Sequence, residues 1–149
     1  MAKEITTEVI INAIPEKVWA VFTNFSNYPL WNPFIKSVTG TIAVGHRIAV
    51  RLEPPGGNGM TFKPKVLAFD MNKEFRWLGN LFFPGLFDGE HIFELIDNGN
   101  GTTTFRQSEK FKGILVPLFK KMLDTTTKNA FNLMNMKLKE IVEKKYNTF

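Results

Sequence analysis

The sequence predicts an α+β fold: strands through most of the first 112 residues, then one long helix in the last quarter. Two observations carry this. Period-two alternation recurs between turn-forming glycines, prolines and asparagines up to Lys112. Ile114–Tyr146 is then a long glycine-free run, and its apolar residues follow helical spacing. Its only proline, Pro117, sits near the start, where a missing N–H costs nothing.

Lys3–Ala13 alternates, with Ile5, Thr7, Val9 and Ile11 on one face, and reads as a half-buried strand. Asn12 is a candidate cap for a following helix, with Pro15 and Glu16 in its first turn and Val18, Trp19, Val21 and Phe22 as its apolar stripe. Tyr28–Pro33 reads as a second short helix or turn. Strands are expected at Ile35–Ile42, Arg47–Leu52, Thr61–Phe69, Lys73–Gly79, Gly89–Asp97 and Thr102–Phe111. Pro64 lacks an amide donor and implies an edge or a bulge in its strand. Pro54–Gly59 is a glycine-rich hairpin loop without the Lys-Ser/Thr and helix of a phosphate loop.

The last hairpin can be read to its register. Pairing Glu94 with Arg106 and Glu90 with Lys110 places two opposite-charge pairs on the outer face. The same register sets Leu95 opposite Phe105, Phe93 opposite Gln107 and His91 opposite Glu109 on the inner face. His91, Gln107 and Glu109 then stand among phenylalanines, either as a mutually satisfied core cluster or as the polar patch of an apolar pocket.

On the long helix, one apolar stripe runs from Leu115 through Leu118, Phe119, Met122, Leu123, Thr126 and Ala130 to Leu133. From Met134 onward, Leu138, Ile141 and Val142 shift it round by about a third of a turn, and Lys137 and Lys144 fall where the first stripe would continue. The pattern predicts two halves, the first facing a cavity and the second packing elsewhere, with a bend near residues 125–135.

At 149 residues the chain is expected to form a single domain, residues 1–149. It has no cysteine, which excludes disulfides and thiolate metal sites. No secretory signal or apolar run of about 20 residues is visible, so a cytoplasmic protein without integral membrane association is expected. The net charge of +5 is uneven: residues 110–149 hold nine Lys/Arg against three Asp/Glu. The basic residues are not interleaved with aromatics as in a single-strand platform, so no nucleic acid partner is expected. Fifteen phenylalanines suit either a thick core or the wall of an apolar cavity.

Val9–Trp19, followed by Phe25-Ser26-Asn27-Tyr28-Pro29-Leu30-Trp31-Asn32-Pro33-Phe34, resembles the opening of the SRPBCC or START-like superfamily of the polyketide cyclase/dehydrase type. Gly85–Leu95 also resembles its late strand, and the order of elements matches over essentially the whole chain. The resemblance implies a helix-grip fold like that of the plant allergens: a seven-stranded curved antiparallel sheet around a long C-terminal helix, with two short helices after strand 1. It implies an apolar cavity between sheet and helix, and no universal catalytic residue.

Three functions are weighed on this frame. The first is binding or carriage of a hydrophobic small molecule, such as a lipid, polyketide or aromatic. Its candidate wall is Phe75, Trp77, Phe87, Phe93, Phe105, Phe111, Leu118, Met122 and Thr126, with His91, Gln107 and Glu109 orienting a polar end. The second is a cyclase- or dehydratase-like enzyme with His91 and Glu109 as its acid/base couple. No nucleophile elbow, zinc motif or dinucleotide fingerprint accompanies them, so no metal and no cofactor are expected. The third is a protein-interaction role, such as chaperone co-activation, through the apolar connection Leu81–Phe87. The chain is expected as a monomer or homodimer.

Overall fold

The computed structural model describes residues 2–81 and 83–147, the last of these by its backbone alone. Phe82, one of the residues of the apolar connection, lies outside the described residues.

Strand β1 (Ala2–Ile11) leads into α1 (Pro15–Phe22), a 3-10 turn at Phe25–Asn27 and α2 (Tyr28–Trp31). The N-cap of α1 falls at Ile14 rather than Asn12, with Pro15 following it and Glu16 in the first turn. The Asn12 amide instead donates to Glu143 at the far end of the chain. Val18, Trp19, Val21 and Phe22 are all buried, as their spacing requires. The Tyr28 hydroxyl donates to the Phe22 carbonyl and ties α2 to α1. Burial pushes the phenol well above its ordinary pKa.

With β1, the described residues form eight strands in place of the seven expected. After α2 come β2 (Ile35–Thr39), β3 (Ala49–Leu52), β4 (Met60–Phe62), β5 (Lys65–Asp70), β6 (Glu74–Leu81), β7 (Phe87–Asp97) and β8 (Thr103–Lys112). The extra strand arises at Pro64, which breaks Thr61–Phe69 into β4 and β5 because it has no amide to give to a ladder. Five strands form one antiparallel sheet in the order β1-β8-β7-β6-β5, and β2-β3-β4 form another. The two are joined where the Ile48 amide donates to Pro64, the Gly45 amide donates to Val66 and the Val66 amide donates to His46. The sheets therefore wrap as one curved surface around the C-terminal helix, which is the helix-grip fold.

That helix is not one regular rod. Val116–Phe119 is a 3-10 turn, α3 (Lys120–Met122) is short, and Leu123–Thr127 is a π-helical turn before α4 (Lys128–Asn147). The wider turn shifts the stripe between the two halves. Ala130, Phe131, Met134, Leu138 and Val142 on α4 are fully buried, and α4 lies against β1, β8 and α1. Leu133 leaves the stripe and is partly exposed, whereas Lys137 and Lys144 are exposed. Lys139 fastens the far end by donating to the Ile10 carbonyl at 2.7 Å and pairing with Glu143 at 2.6 Å.

Candidate functional site

The inner face of the larger sheet is built in cross-strand rows. One row is Phe75, Phe93, Gln107 and Thr7, and the next is Trp77, His91, Glu109 and Ile5. The third is Gly79, Gly89, Phe111 and Lys3. Two of its four positions carry no side chain, so the sheet is bare there.

A cavity of about 310 Å³ lies over that bare patch. Its walls are Phe34, Leu52, Met60 and Phe62 on one side and Phe87 and Phe111 on the other, with Phe119, Met122, Leu123 and Thr126 from the segment before α4. Gly79 is needed for this arrangement, because a Cβ there would stand 3.0 Å from the Phe62 ring. A Cβ on Gly89 would fall on Glu109 Oε2. Among the described lining residues Glu109 is the only charged one.

The sequence-derived candidates divide by depth. Phe87, Glu109, Phe111, Met122 and Thr126 line the cavity. Phe75, Trp77, Phe93 and Phe105 do not; they lie in the core, packed ring against ring with centroids 5.3–6.2 Å apart. Alternation places them on the correct face but cannot tell covered rows from the open one. His91 and Gln107 are buried behind Glu109 and form none of the wall. Leu118 is 75% exposed on the outside of the segment, because the 3-10 turn rotates it away from the stripe. The apolar connection divides similarly: Leu81 and Phe87 turn into the cavity and Phe83 is exposed. Sequence reasoning missed Phe34, Leu52, Met60 and Phe62 because they come from the smaller sheet or just before it. It also missed the glycines, although Gly79 and Gly89 fall in phase with the inward aromatics on their own strands.

Behind Glu109 runs a buried polar chain. Glu109 Oε1 lies 3.3 Å from His91 Nδ1, and His91 Nε2 lies 2.9 Å from Gln107 Oε1. Gln107 Nε2 donates to Asn135 Oδ1 at 2.8 Å, and Asn135 Nδ2 donates to the Thr7 hydroxyl at 2.8 Å. Thr7 Oγ1 closes the chain by donating to the Gln107 carbonyl at 2.8 Å. The His91 ring stacks on Phe93 at 4.4 Å and packs on Trp77 and Phe131. Such a network satisfies groups that would otherwise be buried without partners. It leaves Glu109 as the one member able to touch a molecule in the cavity.

The segment over the cavity is fastened at two points. Lys3 Nζ pairs with Asp124 Oδ1 at 2.6 Å and ties the π-helical turn to β1. The amides of Ile114 and Leu115 donate to the carbonyls of Gly85 and Leu86, joining the segment's start to the β6–β7 connection. The Lys3 hydrogen bond holds the Asp124 carboxyl below its ordinary range. Among the described residues no group of three His, Cys, Asp or Glu is placed to hold a metal, and no helix is long and apolar enough to cross a membrane.

Structural comparison places the chain beside several solved proteins. The ZhuI aromatase/cyclase from Streptomyces sp. R1128 is 13% identical with a TM-score of 0.76, over 97% of this chain and 96% of that one. A point mutant of Thalictrum flavum norcoclaurine synthase, in complex with a transition-state analogue, is 15% identical with a TM-score of 0.72, over 97% and 96%. A START superfamily protein from Mycobacterium smegmatis is 18% identical with a TM-score of 0.67, over 93% and 98%. At these identities the likeness is one of fold. A search of curated protein sequences finds no match. Residues 2–143 match the family described as polyketide cyclase/dehydrase and lipid transport, and the chain belongs to that family.

Proposed function

We propose that the protein binds a hydrophobic small molecule in the cavity between the glycine-floored sheet and the segment that precedes α4. The observation that carries this is the bare patch at Gly79 and Gly89, roofed by Phe119, Met122 and Leu123. The core closes over the row of Phe75 and Phe93, and here the apolar walls stand apart. A volume of about 310 Å³ is at the small end of ligand pockets. A molecule hiding about 200 Å² of apolar surface there gains about 5 kcal/mol from burial, part of which offsets its lost freedom. Native mass spectrometry of the purified protein, with thermal-shift assays against fatty acids and polyphenols, tests the reading. A retained species or a rise in Tm with a panel member is expected. No bound species and no shift with any of them would refute it.

A second reading is favoured by Glu109 alone. It faces the cavity and is paired from behind with His91, the arrangement of a carboxyl that exchanges protons with a bound molecule. In that cyclase- or dehydratase-like reading Glu109 is the catalytic residue and His91 positions it. Loss of turnover in Glu109→Gln with binding retained would select this reading over carriage.

A further inference from the structure

The buried chain behind Glu109 has a fixed direction. The Thr7 hydroxyl spends its only proton on the Gln107 carbonyl, so it must accept from Asn135, and Asn135 must turn its nitrogen toward Thr7. Asn135 Oδ1 therefore faces Gln107 Nε2. The same Gln107 nitrogen reaches the Phe131 carbonyl at 3.4 Å, and a carbonyl offers only lone pairs. Both ends thus require one orientation of the Gln107 amide. Its Oε1 is left facing His91, and His91 Nε2 must carry a proton.

The consequence appears at the other ring nitrogen. Nδ1 lies 3.3 Å from Glu109 Oε1. Oε1 is thus turned inward, toward the His91 ring. Glu109 Oε2 is left over, above Gly89 at the cavity floor, and none of the described residues donates a hydrogen bond to it. No cation is among the described residues that line the cavity.

We infer that the cavity takes an apolar molecule whose polar end donates a hydrogen bond to Glu109 Oε2, and turns away one that ends in a carboxylate. This rests on the reading that the cavity binds an apolar molecule. A hydroxyl supplies such a donor without bringing a further charge into the apolar cavity. A carboxylate would bring a second acceptor against Oε2 with nothing on the wall to offset it. The helix residue Asn135 and the β1 residue Thr7 act here as positioning residues, because they fix which way Gln107 presents itself to His91.

Three probes of one apolar body test the inference: 2-naphthol, 2-methoxynaphthalene and 2-naphthoate, titrated at pH 7 into ¹⁵N-labelled protein and followed by NMR. The naphthol is expected to bind about tenfold more tightly than either of the others, with shifts at Gly79, Gly89 and Phe111. The ring nitrogens of His91, read in the same sample, are expected to show a protonated Nε2. In Glu109→Leu the naphthol and the ether should bind alike. Equal affinities for the three probes in the unaltered protein would overturn the inference and leave cavity binding intact. No binding by any probe would overturn both. A bare Nε2 on His91 would overturn the chain's direction, and this measurement and the probe ratio stand even if Glu109→Leu fails to fold.

Discussion

Gly79 and Gly89 face each other across β6 and β7, and this pair leaves open a part of the inner face that the helix does not fill. The flanking inward positions on the same strands carry Trp77 and His91 on one side and Leu81 and Phe87 on the other. A side chain at either glycine would occupy the cavity or displace one of its walls.

Gly79→Leu should therefore abolish binding while keeping the fold. Its Cβ would press on the Phe62 ring at 3.0 Å, a contact that a few tenths of an ångström of ring movement relieves, and the rest of the side chain would fill the cavity. Replacing a strand glycine also recovers some strand propensity. The expected result is at least a tenfold loss of affinity for 2-naphthol with unfolding free energy changed by about 1 kcal/mol or less. Calorimetric titration and urea denaturation of the same variant measure both.

The extent to which this site was legible in the sequence varies with the kind of signal. The β7–β8 register follows from charge alone: Glu94 does face Arg106 and Glu90 does face Lys110. The ion pairs themselves are shared more widely: Arg106 reaches Glu94 at 3.9 Å but Glu8 at 3.1 Å, and Glu90 takes Arg76 at 2.8 Å. Neighbouring strands compete for exposed charges, and hairpin pairing cannot see them. The two halves of the C-terminal helix were visible as a shift of the apolar stripe, because a helical face is a periodic signal. The cavity was not, because it is defined by absent side chains on one sheet and walls supplied by another. Phe62 and Trp77 are both aromatic and inward on strands, yet only Phe62 borders the open space.

Asn135→Leu should be among the more damaging single changes in α4. It strips the Gln107 amide and the Thr7 hydroxyl of a partner each, both fully enclosed. Two groups left wholly unpaired would cost about 2–6 kcal/mol; a loss of about 2–4 kcal/mol is expected, because Gln107 keeps the Phe131 carbonyl and Thr7 keeps the Gln107 carbonyl. Thr7→Val removes the chain's last member alone and should cost less. Urea midpoints at unchanged m-value provide the comparison.

Acid should loosen both ends of the C-terminal helical segment. The Asp124 carboxyl is held low by its hydrogen bond from Lys3. For Glu143, burial acts in the opposite direction, but hydrogen bonds from Lys139 and the Asn12 amide, together with the Lys139 charge, outweigh it and hold the group low. A carboxyl whose folded pKa is depressed contributes stability above its unfolded value and loses it as pH falls through the folded value. The contribution should therefore be steady above about pH 5 and decline below about pH 4. A Tm–pH series on the unaltered protein and on a Lys3→Met, Lys139→Met double variant tests this: the variant should start lower and show a shallower acid decline.

The π-helical turn at Leu123–Thr127 is what lets one continuous segment serve two surfaces. A π-helical turn accommodates one residue more than the α-helix it interrupts, so it rotates everything before it relative to everything after. Deleting exposed Thr125, whose hydroxyl donates to the Lys121 carbonyl, should let the segment close into regular α-helix. Each residue of an α-helix advances about 100°, so Phe119, Met122 and Leu123 would swing from the cavity while α4 keeps Phe131, Met134 and Leu138 in the core. The Lys3–Asp124 pair would part with them. Binding of 2-naphthol should be lost, whereas amide exchange protection over residues 130–142 should persist. Thr125→Ala keeps the residue count and should bind as the unaltered protein does. If the deletion bound 2-naphthol normally, the turn would not be what aims the roof at the cavity.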